Sequence, residues 1–253
     1  MAVTRRARRS RAVFLPAFAA FYVAGTTLTH VAAPAFGRVP LPCRPGNSGY
    51  TQSLLYCALN RNYASPRAAA LFAALAQHMD GAFPGTKTLA LDANFPFLNG
   101  FPMLPHLSHD DGGKIDIALY YSDDRGNYLP GETRSPFGYF AFEQPMAGAT
   151  NPCGERSRIA SLRWDMSWLQ GFFPQYRLDQ ARTREALVWL DQAGPAMGLE
   201  KIFVEPHLAA RLGVDGAAVR FQGCRAARHD DHIHFQTKAD EKMGGGQKAE
   251  MTK

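Results

Sequence analysis

Two short windows of the chain concentrate side chains that can hold a metal ion and move protons. The first runs Pro105-His106-Leu107-Ser108-His109-Asp110-Asp111-Gly112-Gly113-Lys114-Ile115-Asp116. The second is His229-Asp230-Asp231-His232-Ile233-His234-Phe235. Five of the eight histidines fall in these windows. Three imidazole or carboxylate ligands are the usual set of a catalytic zinc site, with a fourth position left to water. His232 and His234 stand two apart at the start of a predicted strand, so their side chains leave one face of a sheet together. Six residues, two of them glycines, separate His109 from Asp116, enough for a loop to fold back and bring both side chains together. The chain has no HExxH, no GxSxG, no P-loop and no GxGxxG, which removes the commonest alternative chemistries.

Predicted elements must position these windows. Ser65-Pro66 opens a helix as N-cap and first-turn proline. Ala68, Leu71, Phe72, Leu75 and Met79 follow with a helical period, and Gly81 closes it. A second helix spans Asp179–Ala196, with Leu187, Leu190 and Ala193 on one face. Strands are predicted at Thr88–Phe95, Lys114–Tyr121, Arg158–Met166, Ile202–Val204 and His232–Thr237. Residues 37–64 read as an irregular lead-in and 96–113 as a Pro/Gly/His-rich loop. Strands and helices do not alternate as regular βαβ units, so the expected fold is α+β, a central, largely antiparallel sheet with flanking helices and the metal site on the sheet face.

Composition and charge narrow the setting. The chain has 253 residues, 46% of them hydrophobic and 20% charged, an ordinary globular composition. Its formal charge of +6 invites a nucleic-acid reading, but Arg5, Arg6, Arg8, Arg9 and Arg11 supply most of it. Without residues 1–35 the balance is 23 basic against 22 acidic, so the expectation is no nucleic-acid partner. The basic start is followed by Ala12–Phe36, 25 residues free of Asp, Glu, Lys and Arg. That pattern is an export signal, with Ala33-Pro34-Ala35 suited to cleavage before Phe36. The run is also long enough for an uncleaved membrane anchor. Four cysteines in an exported chain suggest two disulfides. Three pairings are possible, and local proximity favours Cys43 with Cys57, leaving Cys153 with Cys224.

His109-x6-Asp116 with a distant His232-x-His234 resembles the metallopeptidase group of lysostaphin-type enzymes, D-Ala-D-Ala peptidases and the hedgehog signalling domain. The penicillin-insensitive murein endopeptidases are the closer likeness. Their terminal His-x-x-His-x-His is matched by His229, His232 and His234, and the upstream spacing by His106-x-x-His109. The segment Glu200–Pro206 resembles that family's strand leading to the same site. The likeness covers residues 104–121 and 199–236 and does not extend to 37–100. It implies one zinc ion per chain held by His109, Asp116 and His234, with His232 as general base and His229 as oxyanion stabiliser or water-orienting group. His106, Glu205 and His207 are supplementary candidates. Asp110, Asp111, Asp230 and Asp231 are candidates to support ring N–H groups, on an equal footing with plain solvated loop charges. The implied protein is an exported periplasmic peptidase acting on peptidoglycan peptides at bonds involving D-amino acids. Residues 1–36 would be signal peptide or anchor, 37–237 one zinc peptidase-like domain, and 238–253 a flexible tail. A D,D-carboxypeptidase of the same fold and a non-catalytic zinc-stabilised binding domain are the alternatives.

Overall fold

The computed structural model describes residues 2–101, 103–104, 107–134, 138, 140, 143–145, 148–149, 152–153, 163 and 167–239, with side chains from Val13 onward. Six strands form the main sheet: β1 (Gly49–Thr51), β2 (Thr88–Asp92), β3 (Lys114–Ala118), β4 (Leu199–Phe203), β5 (Val219–Arg220) and β6 (His232–Thr237). Their spatial order is β1-β2-β3-β6-β4-β5. The longer helices are α1 (Ala2–Ala32), α2 (Pro66–Ala82), α3 (Gln180–Ala193) and α4 (Pro206–Leu212).

The fold is α+β, but the sheet is mixed rather than largely antiparallel. Its centre, β2-β3-β6-β4, is antiparallel throughout. Each edge is parallel, β1 on β2 and β5 on β4. The cause is a helical crossover at each end: α2 lies between β1 and β2 in sequence, and α4 between β4 and β5. A parallel neighbour requires such a crossover. The two edge strands that reveal it have three and two residues, too short for a period-2 pattern to register. For the same reason residues 37–64 are more ordered than expected. Besides β1 they contain a short helix, Leu54–Ala58, and a two-residue pairing of Val39–Pro40 with Tyr63–Ala64.

Alternation decides which face does what. Ile115 and Ile117 of β3, with Ile233 and Phe235 of β6, are fully buried in one core with Leu71, Phe72 and Leu75 of α2 and Leu187 and Leu190 of α3. Each such side chain contributes about 1.5–3 kcal/mol on burial. The intervening residues, Lys114, Asp116, His232 and His234, therefore leave the opposite face. The helix starts follow the capping rules. Ser65 Oγ accepts from Ala68 N at 3.2 Å, and Asp179 Oδ1 accepts from Arg182 N at 3.0 Å. The predicted 179–196 helix ends at Ala193 and tightens into a 3-10 turn, Gly194–Met197. Gly49 is required where β1 crosses α2, because a Cβ there would stand 2.7 Å from the Ala76 Cβ.

Both favoured disulfides are present, Cys43–Cys57 and Cys153–Cys224. The segment Val13–Phe36, which runs from α1 into the 3-10 turn after it, is long and apolar enough to cross a membrane, and Ala33 is its one buried residue. The strand expected over 158–166 and the tail from 240 onward lie outside the described residues.

The Cys153–Cys224 bridge closes a span of 71 residues. Replacing both cysteines with serine is expected to lower the unfolding free energy by about 4 kcal/mol, the chain entropy of a loop of that length. The readout is the urea midpoint under non-reducing conditions. An unchanged midpoint would count against the bridge.

Candidate metal centre

The centre is built on the β3–β6 register. Asp116 and His234 are direct cross-strand partners, and His232 lies opposite Ala118. All three side chains project from the sheet face away from α2 and α3. His109 arrives from the loop before β3, and that loop is pinned at several points. Gly100 N donates to Asp110 O at 2.8 Å, and Gly112 N donates to Asn94 Oδ1 at 3.0 Å. Gly112 has φ +87° and lies against the Arg38 guanidinium, a conformation and a clearance that only glycine supplies.

Hydrogen bonds fix the ring orientations. His109 Nδ1 donates to Ala93 O at 2.9 Å, so in the neutral ring Nε2 carries the lone pair facing the site. That Nε2 stands 3.3 Å from His234 Nδ1 and 3.2 Å from Asp116 Oδ1. His234 Nδ1 donates to Asp116 Oδ1 at 2.7 Å. Ligand atoms about 2.0–2.2 Å from a tetrahedral metal stand roughly 3.3–3.5 Å apart, so two edges of this triangle already have metal-site spacing. The third is a hydrogen bond whose proton occupies the point a cation would take. His109, Asp116 and His234 thus fit a divalent metal ion. A second group, His229, His232 and His234, also has its ligand atoms within 4.8 Å of one another. Among the described residues His234 Nε2 is buried without a hydrogen-bond partner.

His232 is held as a proton acceptor would be. Its Nδ1 donates to Asp231 Oδ1 at 2.6 Å, leaving Nε2 directed 3.6 Å from Asp116 Oδ1. Asp231 is fixed in turn by the Phe140 amide, which donates to Oδ2 at 2.5 Å. His229 completes the cluster, its ring 4.8 Å from that of His232 and 5.4 Å from that of His234. Phe203, from β4, packs on both His229 and His234.

The supporting candidates separate clearly. Among the described residues Asp231 is the one acid of the four that accepts from a ring N–H. Asp110 and Asp111 are about two-fifths exposed and pair with Lys114 at 3.3 and 2.7 Å, which makes them solvated loop charges. Asp230 is buried and paired with Arg228. Glu205 is neither a surface residue nor part of the ligand triangle. It pairs with Arg163 at 2.8 Å and accepts from His229 N at 3.3 Å, and so positions the His229 backbone. His207 Nε2 donates to Glu143 O at 2.7 Å. His106 lies outside the described residues.

Asp92 was not legible in the sequence. It sits beside Asp116 across the β2–β3 bulge and is held by Arg61 through both carboxylate oxygens. No spacing rule links Arg61, Asp92 and Asp116; only the bulge aligns them.

Burial perturbs two groups of this centre strongly. It lowers the His234 imidazole to about 4, against the opposing pull of Asp116. It raises Asp230 to about 7, against Arg228. His234 therefore keeps a lone pair for a metal well below the ordinary histidine range.

No family model matches the chain, and no curated protein matches it. The site itself defines the class: an α+β domain whose central strands carry His/Asp groups able to bind a metal ion.

Chain purified without chelator is expected to carry about one metal ion, read by elemental mass spectrometry, and His234→Ala to lose it. Equal metal in both proteins would mean that the three residues are not the ligands.

The metal-stripped protein should also show the His234 effect in its pH dependence. Between about 6.5 and about 4 the unfolded chain takes up a proton that folded His234 refuses, so stability present above that window is lost as pH falls through it. Between about pH 7 and pH 4.5 wild type should lose about 2 kcal/mol more than His234→Gln in urea unfolding. Parallel losses would contradict this.

Proposed function

We propose that the chain is an exported, periplasmic zinc peptidase that cleaves peptidoglycan peptides at bonds involving D-amino acids, with the D-Ala to diaminopimelate cross-link as its bond. The substrate class rests on the likeness of His109-x6-Asp116 and His229-x-x-His232-x-His234 to the murein endopeptidases. The export reading rests on the basic start, the apolar α1 and the two disulfides.

One observation carries the chemistry: His232 Nε2 is directed at the ligand triangle while its Nδ1 is held by Asp231. His109, Asp116 and His234 would hold the zinc ion. When bound, zinc there supplies Lewis acidity, which brings water into the nucleophilic range near neutral pH. His232 takes the proton of the attacking water at Nε2, and Asp231 stabilises the imidazolium that results. The same Nε2 then returns the proton to the departing amine. His229, beside His232, donates to the carbonyl oxygen as negative charge develops on it. The Phe203 ring covers His229 and His234 on one side and limits water there.

Zinc-loaded wild type is expected to convert cross-linked muropeptide dimers to monomers, read by mass spectrometry. His232→Ala should lower kcat by about 10²–10⁴-fold with its zinc retained, the range of a general base. Asp231→Asn should cost about 10- to 100-fold. Loss of terminal D-Ala alone, with dimers intact, would reassign the domain as a carboxypeptidase. Binding without turnover in wild type would remove the catalytic reading.

A further inference from the structure

Most of the exposed large apolar side chains among the described residues lie on three segments. Many line α1, where Phe14, Phe18, Phe21 and Val31 are each more than half exposed. Elsewhere they form two clusters besides the pair Trp168 and Phe172. Leu54, Leu55 and Leu59 are 53–68% exposed on the loop stapled by Cys43–Cys57. Leu98, Phe101, Leu104 and Leu107 are 41–72% exposed on the loop that ends at His109. Monomeric soluble proteins seldom leave so much contiguous apolar surface in water.

Named contacts make the three segments one surface. The Tyr22 hydroxyl of α1 donates to Ala58 O, and the His30 ring meets Tyr63 edge-on. Phe36 packs edge-on against Phe97 at 5.1 Å, and Phe95 stacks on Phe101 at 4.0 Å. Arg61 Nη1 donates to Leu104 O at 2.5 Å, which ties the stapled loop to the His109 loop. An open groove of about 580 Å³ lies between α1 and the stapled loop, bordered by Val23, Val31, Tyr63 and the Cys43–Cys57 bridge.

We infer that α1 and these two loops form one apolar collar that seats in a lipid bilayer and holds the metal centre at the membrane surface. Three observations favour lipid as the occupant. The collar is continuous with a 24-residue segment, Val13–Phe36, of membrane-crossing length and composition. Tyr22 meets the stapled loop near the middle of that span, about 21 Å along the axis from Phe36, so Leu54, Leu55 and Leu59 lie beside the apolar part of the helix rather than beyond its end. The charge pattern suits anionic headgroups as well. The sequence has no Asp or Glu before Asp80, and none between Asp92 and Asp110. Leu107 and His109 are two residues apart, at most about 7 Å of chain, so a loop seated at the interface brings the ligand with it.

The test uses the full chain, reconstituted in vesicles of phosphatidylcholine and phosphatidylglycerol carrying a lipid-borne diazirine. After illumination, labelled peptides are mapped by mass spectrometry. Labels are expected on α1, on the Leu54–Leu59 peptide and on the Leu98–Leu107 peptide, with none above background on the peptide holding Trp168 and Phe172. A triple variant, Leu54→Ser, Leu55→Ser and Leu59→Ser, should lose its label at that loop and keep both its label at Leu98–Leu107 and its cooperative unfolding transition. Label confined to α1, or equal label around Trp168, overturns the collar. So does mature protein that begins at Phe36, or cross-links between copies at these loops in place of lipid adducts.

Discussion

A carboxylate facing an imidazole across two antiparallel strands organises this molecule. Asp116 and His234 are opposite residues of β3 and β6, and both are almost fully buried. Burying a carboxylate costs several kcal/mol unless charge or hydrogen bonds answer it. Here His234 donates to Asp116 directly, while the Nε2 lone pairs of His109 and His232 face the same oxygen, an arrangement that a cation among them would relieve. The register cannot slip, because a one-residue shift of β6 would turn His232 and His234 toward the helices and Ile233 and Phe235 toward the site. Ligand geometry and core packing are thus set by the same pairing, and a change that harms one harms the other.

The other buried acids show what is special about this one. Asp92 is matched by Arg61, Glu205 by Arg163 and Asp230 by Arg228. Each of these pairs is a closed electrostatic unit that stiffens a neighbouring loop. Asp116 and Asp231 face imidazoles instead. An imidazole nitrogen can pass on its proton or give its lone pair to a metal ion, whereas a guanidinium can do neither. The arrangement therefore divides the acids near the centre into those that hold structure and those whose partners can change state.

Much of this was legible in the sequence, for identifiable reasons. β6 follows its expected bounds because His-Ile-His-Phe-Gln-Thr alternates over its whole length. α2 follows because its cap, its proline and its apolar period agree. His232 and His234 leave one face as their spacing suggests, since a strand fixes side-chain direction within two residues, and the meeting of the two windows follows what the resemblance implied rather than any spacing. The parallel edges were not legible, because β1 and β5 are too short to carry a pattern and take their place from the helices before and after them. Nor could the roles of the flanking acids be sorted. Asp110, Asp111, Asp230 and Asp231 look alike in sequence, and only tertiary neighbours, Lys114, Arg228 or the His232 ring, tell them apart. Asp92 stayed hidden because a bulge, not a motif, puts it beside Asp116.

The place of β6 has a consequence for how the molecule comes into being. Among the described residues it is the last strand, yet it lies between β3 and β4 at the middle of the sheet. Until residues 232–237 emerge, β3 has no partner on one side, β4 has none on its inner side, and Asp116 has no imidazole from β6 opposite it. A chain made from its N-terminus cannot close its sheet early, since the pairing that joins the two halves spans more than 100 residues of sequence. The ligand set is completed in the same event as the sheet, so the domain cannot gather a metal through all three residues before it has finished folding.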